Sequence, residues 1–241
     1  MPSLRHMLLA APLALALAAC GSEVEGPPVG EPIAPIAAPA GQSWVDTAAV
    51  TPEGGYVIGN PEAPLKLVEY ASHSCGVCAA FAQEGAPALD EYVASGRVSY
   101  EIRNQIHDPI DMTIALLARC GAPSAFHPLA NQAWQNFEAI IQGAQSPAVQ
   151  QAMQAPTAQR FQAIGQASGL IDFFAARGIS RDQAMTCLAD TAKAQQIADA
   201  STQQSDELGV TGTPTFFLND EVIEGTAWSL VEPALQRAGA R

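Results

Sequence analysis

A chain of 241 residues, 48% of them hydrophobic, can bury one good core and still spare length for a leader and a linker. The formal charge is -13 and no basic run occurs, which argues against a nucleic-acid partner. The acidity reads as a soluble, solvated surface.

In chain order, residues 1–19 read as a signal peptide. Arg5 supplies a weak positive start, and Met7 to Ala19 is an apolar run too short to span a bilayer. It ends at Leu17-Ala18-Ala19-Cys20-Gly21, which resembles the lipobox of bacterial lipoproteins and makes Cys20 the candidate lipidation site. The alternative is ordinary cleavage after a small residue, with Cys20 discarded or left free. Setting Cys20 aside turns an odd five cysteines into an even four. The resemblance implies a periplasmic, membrane-anchored protein, and a residue other than Asp after the cysteine suits the outer membrane. Residues 20–55 read as a linker rich in Pro and Ala. From Gly21 to about Ser43 it has no periodicity and should be an extended, disordered spacer reaching up to ~70 Å. Trp44 to Gly55 matches no element.

The folded domain is assigned to residues 56–241. Tyr56-Val57-Ile58 is a short strand before a Gly59-Asn60-Pro61 turn. Leu65 to Tyr70, apolar on both faces, should lie centrally in a sheet. A helix from about Gly76 to Ser95 follows, kinked at Pro87, with Phe81, Gly85, Ala88, Leu89 and Tyr92 on one face. Arg97 to Arg103 alternates polar and apolar residues, the period of a strand. This is a βαβ unit with a right-handed crossover. From about 109 to 208 the pattern turns helical. Ile110, Thr113, Ile114 and Leu117 mark a first helix, Ala133 to Ile141 another, and a long one opens at Ser180 with Gln183 three residues on. Thr215–Leu218, the Asn219-Asp220 turn and Val222–Glu224 form a hairpin, and a helix over Ser229 to Ala238 closes the chain.

The chemistry centres on Cys75-Gly76-Val77-Cys78, which follows the central strand and opens the first helix. A cysteine there sits among unpaired N–H groups at the positive end of the helix dipole, so its thiolate, the reacting species, is favoured. Cys78, one turn on, can reach the same sulfur, and the pair can cycle between dithiol and disulfide. A structural zinc site would need four ligands, and no second Cys-x-x-Cys or paired His exists. No metal or other cofactor is called for. Glu69 alternates onto the face of Leu65 and Leu67, so its carboxylate enters an apolar strand. Desolvation should raise its pKa and let it exchange protons with Cys78 through water; the alternative is a strand-end Glu reaching solvent.

The order β-α-β, helical insertion, β-β-α resembles a thioredoxin fold interrupted as in the DsbA-like thiol:disulfide oxidoreductases, an α/β fold with an inserted helical subdomain. The likeness is carried by Gly59-Asn60-Pro61-x-Ala63-Pro64, by Glu69 with the Cys-x-x-Cys behind it, and by Gly209-Val210-Thr211-Gly212-Thr213-Pro214-Thr215-Phe216-Phe217. It implies that Cys75 is the exposed sulfur and Cys78 its buried partner. It also implies a cis Thr213-Pro214 bond beside them, whose backbone pairs with an extended substrate peptide. In that family an acid stands where Glu69 does. The Gly-Val dipeptide departs from the Pro-His of the strongest oxidants, which removes one positive group from the thiolate and leaves the direction of exchange open.

Cys120 and Cys187 lie in the helical region. Export and even pairing favour a structural disulfide; the alternative is two buried thiols. His73 reads as a solvated loop residue rather than a tuner of Cys75. Trp134, Trp228 and Phe137 read as core, and His107 and His127 have no evident partner. The leading reading is a protein thiol:disulfide oxidoreductase acting on exported proteins with cysteines, first as an oxidase, with a redox partner that resets Cys75–Cys78. A reductase or isomerase, and a noncatalytic peptide-binding module, are the alternatives.

Overall fold

A computed structural model describes residues 30–241, so the leader and Cys20 lie outside the described residues. One sheet of six strands runs in the order β1-β2-β4-β3-β5-β6. The strands are β1 (Ala48–Val50), β2 (Tyr56–Gly59), β3 (Leu65–Ala71), β4 (Val98–Asn104), β5 (Thr215–Leu218) and β6 (Glu221–Ile223). β3 is central, parallel to β4 and antiparallel to β5. Its Leu65, Leu67, Glu69 and Ala71 are buried on one face, while Lys66 on the other is exposed. The strand is therefore covered more fully on one side than on the other.

Helix α1 (Gly76–Ala94) crosses the sheet and runs through Pro87 without a break. Gly85 brings it close to α10 (Trp228–Arg237), because a Cβ there would meet the Trp228 ring at 2.8 Å. Between β4 and β5 stand α2 (Pro109–Ala118), α3 (Pro123–Gln135), α4 (Phe137–Ala144), α5 (Pro147–Ala152), α6 (Thr157–Ala167), α7 (Leu170–Ala175), α8 (Arg181–Ala189) and α9 (Thr191–Leu208). α2 is buried along nearly its whole length and packs against α3, α6, α7, α8 and α9. A disulfide joins Cys120, just past α2, to Cys187 on α8, with Cα atoms 5.8 Å apart. The architecture is a thioredoxin fold carrying a helical insertion.

Four expectations are corrected. The helix expected over Ala133 to Ile141 divides at Asn136, whose backbone is non-helical. The long helix opening at Ser180 divides at Asp190, whose carboxylate accepts from the Lys193 N–H at 2.8 Å and starts α9. Ser180 caps α8, but the Gln183 side chain turns away to donate to the Cys120 carbonyl. The linker correction is larger. From Gly30 onward the chain is fastened down: Gly30 N donates to Arg237 O, Ile33 N to Gly239 O and Ile36 N to Ser95 O. The Trp44 indole donates to Ile36 O at 2.7 Å, and β1 pairs antiparallel with β2. The folded unit thus begins well before Tyr56, and residues 30–55 are not a free spacer. Proline-rich composition predicts disorder only where the backbone finds no partners, and here the domain supplies them.

Candidate active site

The site is assembled where β3 hands over to α1 and where the chain re-enters the sheet before β5. Cys75 is the N-cap of α1, with extended backbone (φ -92°, ψ 118°), and its sulfur accepts the Cys78 N–H at 3.3 Å. It is half-buried; Cys78, one turn into the helix, is fully buried, and both are free thiols. The donated Cys78 S–H, with help from the Thr213 side chain and the Cys78 and Val77 N–H groups, holds the Cys75 thiol down to about 5 despite partial burial. The Thr213 carbonyl, 3.2 Å from the Cys75 sulfur, suits the protonated thiol and works the other way. Cys78 is displaced upward by burial, reinforced by Cys75 and Glu69. The first proton therefore leaves Cys75 and the second stays on Cys78. No imidazole is needed in the dipeptide for this; the helix N–H groups and the second thiol do it.

Thr213-Pro214 is a cis peptide, and Pro214 is buried next to the exposed end of the site. Glu69 lies on β3 between Ile102 of β4 and Phe216 of β5, 1% exposed. Burial pushes its carboxyl up to about 8, with Cys75 adding to the rise and the Tyr100 hydroxyl, which donates to Oε2, opposing it. Its Oε1 is buried with no hydrogen-bond partner in the protein. Glu69 thus does not reach solvent at the strand end.

The loop between β3 and α1 is held by residues the sequence did not reveal. Asp111, fully buried in the first turn of α2, accepts from the Ser72 hydroxyl at 2.6 Å, His73 N at 2.8 Å and His107 N at 3.0 Å. His73 is not solvated as expected. It is 2% exposed, stacks on Trp134 with ring centroids 4.9 Å apart, and sets Nδ1 3.5 Å from Asp111. Trp134 is core, as read, but its indole also donates to Ser72 O at 3.1 Å. Trp228 is core. Phe137, read as core, is half-buried, and its ring approaches Gly76 between the two cysteines. His107 Nε2 lies 3.4 Å from the Thr213 hydroxyl, and His127 donates from Nε2 to Tyr56 O, its pKa pushed down to about 4 by burial. An aspartate two residues after Pro109 reads as a helix-start residue; nothing local says that it turns inward. Among the described residues no group of three or more His, Cys, Asp or Glu side chains could hold a metal. Cys120 and Cys187, bonded to each other, belong to the insertion and not to this site.

A family model described as thioredoxin matches residues 51–236. The chain belongs to the thioredoxin family. Its structure superposes on a protein-disulfide isomerase from Novosphingobium aromaticivorans with a TM-score of 0.71 and 33% identity, over 76% of this chain and 95% of that one. It superposes on the alpha-DsbA1 protein of Wolbachia pipientis with a TM-score of 0.61 and 18% identity, over 76% of this chain and 91% of that one, a likeness of fold. A Rickettsia typhi protein, named provisionally as a protein-disulfide oxidoreductase, is 26% identical over 76% of this chain. The chain spans 61% of the length of that relative.

Proposed function

We propose that this family member is a thiol:disulfide oxidoreductase that exchanges disulfides with exported proteins through Cys75 and Cys78. One observation carries the reading: an accessible, acidic sulfur and a buried, protonated one share the first turn of a helix against Thr213-Pro214. In the oxidising direction a substrate thiolate attacks Cys75 of the disulfide, and the Cys75–Cys78 bond breaks. Cys78 leaves as a thiolate and takes a proton from Glu69. A second substrate thiolate then attacks the substrate sulfur of the mixed disulfide and releases Cys75 as a thiolate. The low Cys75 pKa makes it a good leaving group and favours the dithiol product, which supports the oxidase direction. The backbone around Thr213 and Pro214 is available to an extended peptide, which an exported substrate presents.

A second reading, isomerase, is favoured by the Novosphingobium relative, which bears that name. Equilibration of the Cys75–Cys78 couple in glutathione buffers separates the two. A potential near the DsbA value supports the oxidase, one near thioredoxin a reductase, and an intermediate one an isomerase. Absence of any two-electron titration at this pair would leave only a peptide-binding module. Cys75→Ser should abolish turnover, and Cys78→Ser should trap substrate as a mixed disulfide.

Export and anchoring rest on the sequence pattern ending at Cys20. The proposed location is the periplasm, tied to a membrane, with the outer membrane preferred. Among the described residues no helix is long and apolar enough to cross a membrane. Cys20→Ala should move the protein from the membrane fraction to the soluble periplasmic one. A redox partner that resets the pair completes the cycle.

A further inference from the structure

Glu69 is the candidate proton acceptor for Cys78, yet it is sealed on every side that packs against it. Cys75 and Cys78 at the start of α1 lie near enough for their charge to act on it, β5 contributes Phe216, and β4 contributes Ile102 and Tyr100, whose hydroxyl donates to Oε2. A buried acid that accepts a proton at each turnover must also release it. Tyr100 is the hydrogen-bonding partner of Glu69, and its side chain also lines an open space. It lines a cavity of about 370 Å³ between α1, α3 and the sheet, with Ala82 and Ala86 on one wall and His127 on another; Glu69 does not line it. Asp46, Asp90, Asn131 and Gln132 supply the polar part of the lining, and Asp90 is exposed. At ~30 Å³ per molecule such a space admits several waters, and it has the polar groups to hold them.

We propose that Tyr100 and this cavity are the proton exit of the redox pair, with Tyr100 a relay between Glu69 and cavity water. The inference rests on the Glu69 role proposed above. When Cys78 attacks the Cys75 sulfur of a mixed disulfide, the Cys75–substrate bond breaks and the Cys75–Cys78 bond forms. The substrate departs as a thiolate, and the Cys78 proton is on Glu69. Glu69 then donates to the Tyr100 oxygen as the Tyr100 hydroxyl proton passes to water, so one proton enters the phenol and one leaves. Burial and the neighbouring Glu69 raise the Tyr100 pKa, which keeps the phenol neutral throughout. The charged and titratable groups facing the route are Cys75, Cys78 and Asp90 on α1, His127 on α3, Asp46 before β1, and Tyr100 itself. His127 is held neutral by burial and does not oppose an outgoing proton. In the oxidising direction the same route runs inward and reloads Glu69.

The test is stopped-flow closure of the dithiol protein with excess oxidised glutathione, read as the unimolecular rate from pH 5 to 9 in H₂O and D₂O. Tyr100→Phe removes the relay, and Ala86→Leu fills the cavity without touching Glu69; Ala82→Val narrows the same space if Ala86→Leu does not fold. Closure about tenfold slower in both kinds of variant below pH 8, with a larger solvent isotope effect, supports the exit. The potential of the cavity variant should stay at the wild-type value, which a general structural defect would not leave in place. Wild-type closure in both, with Glu69→Gln slow, overturns the exit and routes the proton through the mouth beside Cys75 and Pro214. Wild-type closure in Glu69→Gln as well overturns it by removing the acceptor, while two-electron cycling at Cys75–Cys78 would leave the oxidoreductase reading standing.

Discussion

The molecule contains two pairs of cysteines that chemistry treats oppositely. Cys75 and Cys78 stand three residues apart at a helix start, free, one partly exposed. Cys120 and Cys187 stand 67 residues apart, bonded, and link α2 to α8. The first pair closes almost no loop, so its bond constrains little of the unfolded chain and can be made and broken cheaply. The second closes a long loop and contributes mainly by limiting the unfolded ensemble. Environment adds to this. Helix N–H groups and a neighbouring thiol favour a thiolate at Cys75, the N-cap of α1, whereas Cys120 follows the end of α2 and Cys187 lies near the end of α8, neither of them a helix cap. Reactivity follows from placement and stability from loop length.

The sharpest way to break the contrast is thiol alkylation. In the dithiol protein Cys75 should react with iodoacetamide along a titration curve with a midpoint near pH 5, while Cys78 should stay unmodified at least 10³-fold longer until the protein unfolds. Mass mapping of the labelled peptides would decide it. Equal labelling of Cys75 and Cys78 would erase the division of roles on which the mechanism depends.

Next in size is the structural pair. Cys120→Ala with Cys187→Ala should lower unfolding stability by about 2–4 kcal/mol in urea and leave the Cys75–Cys78 potential unchanged. A changed potential would mean that the insertion sets the geometry of the redox loop. The contact that would carry such an effect is Asp111 on α2, which holds Ser72 and His73.

Glu69 gives a pH-dependent effect of a few kcal/mol at most. Its folded pKa, about 8, lies above the ordinary 4.5, so the native state binds its proton more tightly than the unfolded chain does. The stability this confers is fully present below about pH 4.5 and is lost as pH rises through 8. Glu69→Gln should therefore gain stability relative to wild type as pH climbs from 5 to 9 and gain little at pH 4. Chemical denaturation of the disulfide form, in which the Cys75 titration is absent, isolates the effect. A flat difference across that range would mean that the carboxyl is not desolvated.

How much of this was readable in advance differs between the two halves of the chain. The frame was legible: the central strand, the Cys-x-x-Cys at a helix start, the hairpin and the late proline each carry a local signal, and the sheet assembles from them. The insertion was legible as helical but not in its divisions. Periodicity runs on across Asn136 and Asp190, and the caps at those positions decide the breaks. β1 is three residues of Ala and Val with no alternation to mark it, and pairing with β2 creates it. Around the site, Cys75 and Cys78 are legible by spacing and Glu69 by strand alternation, while the place of Pro214 beside them comes only from the family resemblance. Asp111, Tyr100 and the burial of His73 did not, because each is defined by a partner more than 30 residues away. Side chains that act by contact across the fold leave no periodic trace.

The smallest predicted effect tests whether those silent contacts matter to the redox pair. Trp134→Phe keeps an aromatic ring against His73 but deletes the indole N–H that donates to Ser72 O. The Ser72 carbonyl keeps only the longer Cys75 N–H contact at 3.4 Å, and losing its better donor costs about 1 kcal/mol. Ser72 also bonds Asp111 and supports Ser74, so the lost contact should loosen the turn that presents Cys75 to the helix start. The donors lowering the Cys75 pKa depend on that presentation, so the pKa should rise by a few tenths of a unit and the couple should become slightly less oxidising. The thiolate absorbance of Cys75 against pH measures the first change and glutathione equilibration the second. A stability loss with an unmoved titration would make Trp134 purely a packing residue, whereas a joint shift would tie the insertion's α3 to the reactivity of the first cysteine pair.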